Sequence, residues 1–267
     1  MNDEWLRSAL GSSTADSITV CGRDLAGELM GRLSFTELAF LLVARRPPTA
    51  AETRLLDAVL VSLADHGLTP TVLAARLTYT GAPEAIQGAI AAGLLGGGAV
   101  FLGPTEDTAR FLHELLAGGD GGDHGEDALR ALAEAAVRRR IAAGERVPGL
   151  GHHIHRETDP RVPRLYAIAA EEGLLGPHLR LLRAVAEASL AVAGRRLPIN
   201  GAGAAGAALA DLGLPPALAR GFALLARTAG LLGHLAEEME RPLGRRLYEE
   251  VDARSRALPA PEEPPAG

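Results

Sequence analysis

His152 follows directly on the turn Val147-Pro148-Gly149-Leu150-Gly151, and Asp159-Pro160-Arg161 lies a short way downstream. An imidazole titrates near neutrality and can pass a proton or polarise a carbonyl. A guanidinium grips a carboxylate through paired N–H groups. Glycines let backbone approach a ligand closely. Together these groups point to a site for an anionic substrate. Asp159 can cap a helix, Pro160 suits its first position, and Arg161 then falls in the first turn, where the helix dipole favours anions. Pro163 leaves the exact helix start open.

Other segments carry possible chemistry. His152, His153 and His155 cluster, yet no Cys or carboxylate pair nearby completes a zinc spacing, and adjacent ligands are strained. No metal is expected. Asp65-His66-Gly67 ends an apolar segment. Gly67 suits a left-handed cap and His66 can face the helix dipole, or His66 can be aimed into a cleft. Arg227 sits in an otherwise apolar stretch, Ala226 to His234, and needs either an anion or a buried acid partner. Arg241 and Arg245-Arg246 read by default as solvated cations.

The elements that must position these groups read as helices. Ala and Leu dominate, and no alternation marks a β-sheet. Ser34-Phe35-Thr36-Glu37 has capping-box spacing and opens an apolar segment that runs through Val43 and stops at Pro47-Pro48. Thr49-Ala50-Ala51-Glu52 is a second such box, opening a helix with Leu55, Leu56, Val59, Leu60 and Leu63 on one face. Further helices are expected to start near Pro83, Thr105, Glu126, Asp159, Pro177, Asn200 and Pro215. The Gly- and Asp-rich stretch 118–125 reads as a flexible connector, and the Pro-rich tail 257–267 as disordered. Gly96-Gly97-Gly98-Ala99 and Asn200-Gly201-Ala202-Gly203 suggest close backbone packing or a cleft lining.

Composition narrows the function classes. The chain has 267 residues, a net charge of −6 and 3% aromatic residues, which argues against a nucleic-acid surface. There is no apolar run of membrane-spanning length, and the acidic start Met1-Asn2-Asp3-Glu4 lacks a signal-peptide pattern. A cytoplasmic protein is expected, which the lone Cys21 fits. All the basic residues are Arg, so lysine Schiff-base chemistry and a P-loop lysine are excluded.

These pieces, taken in order, resemble the citrate synthase superfamily, and most of all its short citryl-CoA lyase-type members and the lyase module of ATP-citrate lyase. The likeness runs from Cys21-Gly22-Arg23-Asp24 to Tyr248. It is carried by Ser34 to Glu37, Ala64 to Gly67, Gly96 to Ala99, Pro148 to Arg161, Pro198-Ile199-Asn200-Gly201 and Ala226 to His234. Citrate synthases carry a histidine just before the Gly-Gly-Ala motif. Here that place is Gly96, as in the lyase branch.

The resemblance implies an all-α fold with a large helical domain (1–103 and 201–256) and a smaller mobile one (104–200). It also implies a homodimer whose sites draw on both subunits. The activity it implies is cleavage of citryl-CoA to acetyl-CoA and oxaloacetate, with a coenzyme A thioester as substrate and no tightly bound cofactor. In that setting His152 contacts the hydroxyl or carbonyl at the breaking bond, and His66 adds a donor or takes a proton. Arg161 and Arg227 clamp carboxylates, and Arg241 reaches in from the partner. Backbone of Val147, Pro148, Gly149, Leu150 and Gly151 borders the CoA adenine. The family's catalytic aspartate falls on Asn200, whose amide can hydrogen-bond an enolate or thioester oxygen but cannot transfer a proton as a carboxylate does. That change leaves two other readings open: another acyl-CoA or carboxylic substrate in a specialised pathway, or a catalytically silent ligand-binding paralogue.

Overall fold

A computed structural model describes residues 8–118, 125–152, 154–194 and 197–256. His153, most of the 118–125 connector and the tail from 257 lie outside the described residues. The chain is helical, as its periodicity predicts. The helices are α1 (Phe35–Ala44), α2 (Ala50–Ala64), α3 (Pro70–Gly81), α4 (Ile86–Phe101), α5 (Pro104–Ala117) and α6 (Glu126–Ala142). They continue with α7 (Arg161–Glu171), α8 (Pro177–Ala193), α9 (Gly201–Asp211), α10 (Ala219–Glu240) and α11 (Gly244–Arg254). No single described helix is long and apolar enough to cross a membrane.

Both capping boxes form. The Ser34 hydroxyl accepts from Glu37 N, and the Glu37 carboxylate accepts from Ser34 N at 2.7 Å. Thr49 and Glu52 do the same at 3.1 and 2.8 Å. Leu55, Leu56, Val59 and Leu63 are buried, as their spacing on α2 requires, and Leu60 packs against them.

The N-terminal segment corrects the expectation of no sheet. β1 (Gly11–Ser13), β2 (Ile18–Val20) and β3 (Arg23–Asp24) form a small antiparallel sheet. Cys21 (φ 50°) and Gly22 (φ 76°) make the left-handed two-residue turn between β2 and β3. Such turns favour Asn-Gly or Asp-Gly, so Cys-Gly concealed the hairpin. Cys21 is a free, half-buried thiol.

The chain divides into two compact units: 1–64 with 99–226, and 65–98 with 227–267. Within the first unit α5 and α8 pack on α9. α9 is the axis of this unit, and all its residues from Gly203 to Ala210 are buried. Its small side chains allow this. A Cβ on Gly206 would lie 2.3 Å from Thr105 O on α5, and one on Gly203 would lie 2.5 Å from Gly149 Cα. Gly201-Ala202-Gly203 therefore serves close packing, the plainer of its two expected roles.

In the second unit, α3, α4 and α10 meet around Val72, Ala75, Ala89, Leu231 and Leu235. Gly93 lets Leu231 approach, since a Cβ there would lie 2.8 Å from Leu231 Cδ1. α11 starts against α3, with Gly244 placed over Arg76 O.

Candidate active site

The glycine turn is built by pairing with the segment that opens α9. Gly149 and Gly151 both take φ near the left-handed region, 83° and 82°, where a side chain would be strained. Leu150 bridges Ile199, Gly151 N donates to Pro198 O at 2.7 Å, and Asn200 N donates to Gly149 O at 2.9 Å. Thr108 and Leu182 close over Gly149, leaving no room for a Cβ. Much of the 147–151 backbone is thus hydrogen-bonded inside the protein, so its polar groups act first to dock the turn.

Asn200 completes that docking. It is the N-cap of α9: its Oδ1 accepts from Gly203 N at 2.8 Å, and its Nδ2 donates to Gly151 O at 2.9 Å. Both ends of the amide lie on backbone groups. Position 200 thus ties the start of α9 to the glycine turn, and the nearest other first-turn side chain on α9 is the methyl of Ala202. Asn200→Ala removes a cap and the tie to Gly151, for an expected loss of about 2 kcal/mol in denaturant unfolding. A loss under about 0.5 kcal/mol would contradict this role.

His152 leaves the turn with its ring partly buried. Its Nδ1 accepts from Ile154 N and His155 N, each at 3.1 Å. An Nδ1 that accepts carries no proton, so in the neutral ring Nε2 bears it. The His155 ring stacks on the same imidazole, with centroids 4.5 Å apart. His152 thus presents an N–H donor, which suits polarising a carbonyl or stabilising an alkoxide better than accepting a proton.

The Asp159-Pro160-Arg161 run departs from the expected helix start. α7 begins at Arg161, and Pro160 holds the cap position without a side-chain bond. Asp159 is fully buried and does more than cap. Its carboxylate accepts from Arg161 N, Arg161 Nε and Arg161 Nη2 at 3.1, 2.9 and 2.7 Å. It also accepts from Gly201 N at 2.7 Å. One carboxylate therefore bridges the N-termini of α7 and α9, where both dipoles favour it. Burial alone would raise its pKa. The Arg161 hydrogen bonds and charge, with the backbone N–H groups, outweigh this and hold it at about 2.

Arg161 is therefore already engaged inside the protein. Its Nε–Nη2 edge is on Asp159, and Nη1 donates to Ser62 O at 3.3 Å. The side chain as a whole is 22% exposed. Gly201 makes this placement possible, because a Cβ there would lie 2.3 Å from Arg161 Cζ. Sequence reading placed Asp159 only as a cap. The two-residue spacing of a buried acid and an arginine was the available sign of the pair.

The first unit thus gathers Val147 to Gly151, His152, Arg161 and Asn200. His66, Arg227 and Arg241 belong to the second unit. Gly67 takes the left-handed conformation expected beyond α2 (φ 74°). Asp65 accepts from Gly67 N at 3.0 Å and from His234 Nε2 at 2.8 Å. Burial would raise the Asp65 carboxyl, but these bonds and the His234 ring bring it below its usual value. Arg76 was missed in the sequence. It is buried in α3, donates to Glu238 at 3.1 Å and to His234 Nδ1 at 3.0 Å, and pairs with Glu237. The run Asp65–His234–Arg76 thus fixes the His234 tautomer. Arg227 is buried at 8% exposure, as an arginine in an apolar stretch implied. Arg241 is exposed and, with Arg76, His234, Glu237 and Arg246, lines a cavity of about 440 Å³.

The sequence profile of the citrate synthase C-terminal domain matches residues 22–249. Citryl-CoA lyase from Hydrogenobacter thermophilus shares the fold at TM-score 0.83 and 30% identity, with 97% of each chain covered. ATP citrate lyase from Methanothrix soehngenii, solved with citrate and coenzyme A, matches at TM-score 0.77 and 21% identity, covering 98% of this chain and 43% of that one. A putative citrate synthase 2 from Mycobacterium tuberculosis is 33% identical over 156 residues, and the match spans 37% of that protein's length. The ordered motifs, the glycine turn docked on α9 and these matches lead to one conclusion: the chain belongs to the citrate synthase family.

Proposed function

We propose that the protein is a carbon–carbon lyase that cleaves a citryl-CoA-type thioester to acetyl-CoA and oxaloacetate. One observation carries this reading. The proton-bearing Nε2 of His152 belongs to the residue that follows a turn held by Asn200, and Arg161 lies against Gly201, the residue next to Asn200. The likeness to a citryl-CoA lyase over nearly the whole chain supports it.

The chemistry balances as a retro-aldol cleavage. The tertiary hydroxyl loses its proton to His66. The bond between the carbinol carbon and the thioester α-carbon breaks, and its electron pair passes into the thioester enolate. The carbinol carbon becomes the ketone of oxaloacetate, and the enolate carbon takes the proton back from His66, directly or through water, to give acetyl-CoA. His152 donates a hydrogen bond to the oxygen that becomes the ketone, lowering the cost of its transient charge. Arg161 and Arg227 bind carboxylates, with Arg241 supplied by a second copy of the chain in a homodimer. The 147–151 turn borders the coenzyme. Residues 104–200 form the body that moves when the site closes. Asn200 is a positioning residue on this reading.

Purified protein is incubated with citryl-CoA, and both products are followed. Acetyl-CoA and oxaloacetate are expected in equal amounts. Asn200→Asp should give no gain, because it places an oxygen against Gly151 O. Ala202→Asp puts a carboxylate at the positive end of α9 and should raise turnover if enolate protonation limits the rate. A folded wild-type protein with no cleavage above background would refute the assignment.

A further inference from the structure

We infer that His155 is a positioning residue that holds His152 in the single tautomer with its proton on Nε2. The inference rests on the reading of His152 as the donor to the reacting oxygen, and it assigns a role to a neighbour outside that chemistry. Two contacts from one residue converge on the His152 ring. The backbone N–H of His155 donates to Nδ1 at 3.1 Å, and the His155 ring stacks on the imidazole with 29° between planes. Ile154 N supplies the second bond to Nδ1, also at 3.1 Å.

The geometry explains why both contacts matter. The second side-chain torsion of histidine is broad and roughly two-fold, so a ring on a loop turns over readily. Turning over would put the Cδ2 carbon where Nδ1 now accepts, and both backbone N–H groups would lose their partner. The backbone bonds select the nitrogen, and the stacked ring keeps the plane in place while they do so. Neither contact needs His155 to exchange a proton. A flat aromatic ring should therefore replace it, whereas a methyl group should not. A stack of this kind is of the size that shifts a ring equilibrium about three- to tenfold.

The test uses the full chain with 15N-labelled histidine, in the wild type and in His155→Phe and His155→Ala. His152→Gln identifies the His152 resonances by their loss. Protonated and unprotonated ring nitrogens resonate far apart, so the tautomer is read directly without substrate. Wild type and His155→Phe should show an unprotonated Nδ1 and a protonated Nε2 at His152. His155→Ala should show averaging between tautomers. On citryl-CoA, His155→Ala should lower kcat about two- to threefold with little change in KM, and His155→Phe should restore it. A protonated Nδ1 in the wild type would overturn the proposal, as would a single Nε2–H tautomer persisting in His155→Ala. Failure of His155→Phe to rescue would do the same. If the wild type does not cleave citryl-CoA, the proposed reaction fails, and the resonances alone decide the positioning role.

Discussion

Asp159→Asn should lower stability by about 3 kcal/mol at neutral pH and reduce cleavage to background. Asp159 is fully buried and receives four hydrogen bonds from Arg161 and Gly201. An asparagine keeps the shape but turns an N–H₂ group toward donors and leaves the guanidinium uncompensated. Arg161 is partly exposed, so solvent recovers some of that loss, which places the estimate at the lower end for a broken buried pair. The anchor of α7 to α9 goes with it, and the glycine turn depends on α9.

The same residue sets a pH dependence. The folded carboxyl ionises with a pKa of about 2, and an unfolded aspartate near about 3.9. A depressed folded pKa means that the stabilisation is present above the unfolded value and is lost as pH falls toward the folded one. The contribution of about 2.5 kcal/mol should therefore be complete by about pH 6 and fade between about pH 4 and 2. Denaturant unfolding of wild type and Asp159→Asn at a series of pH values reads it as a difference that shrinks over that window. A difference independent of pH would mean that the ionised carboxylate is not the stabilising species.

Gly201→Ala should cost less stability but much activity. The new methyl would lie 2.3 Å from Arg161 Cζ and 2.4 Å from Nε. Free arginine side chains give way easily, but this one is held by Asp159 on one edge and Ser62 on another. Either the pair breaks or α9 shifts. We expect about 2 kcal/mol of destabilisation and about a hundredfold fall in kcat/KM, because Arg161 leaves the position from which it meets a carboxylate. Gly203→Ala is the comparison. There the Cβ meets Gly149 backbone, at 2.5 Å from Cα and 2.7 Å from O, so the turn itself must move. Wild-type kinetics in Gly201→Ala would show that the Arg161 placement is not needed.

The helical frame was legible because its signals are local. Capping boxes at Ser34 and Thr49 specify their own hydrogen bonds, and the α2 face follows from spacing alone. The hairpin at 11–24 was not legible, since its turn uses Cys21-Gly22 and its strands are three residues or fewer. The glycine turn, His152 and Arg161 stand close in sequence and stood out there by residue type, but their connections did not. The Asp159 bridge to Gly201 and the Asn200 bond to Gly151 join segments about 40 to 50 residues apart, and no periodicity records such contacts. A helix start near Asn200 was expected, but the use of both ends of its amide, on the cap and on Gly151, depends on a segment far along the chain. Arg76 carried no sign of its role in the sequence, because its acidic partners lie on α10, far along the chain.

A crystal structure of the protein with citrate and coenzyme A tests the central claim most directly. The account predicts a citrate carboxylate on Arg161, the citrate hydroxyl within hydrogen-bond reach of His152 Nε2, and the coenzyme along residues 147–151. Ligands bound elsewhere, with Arg161 and His152 touching neither molecule, would contradict it.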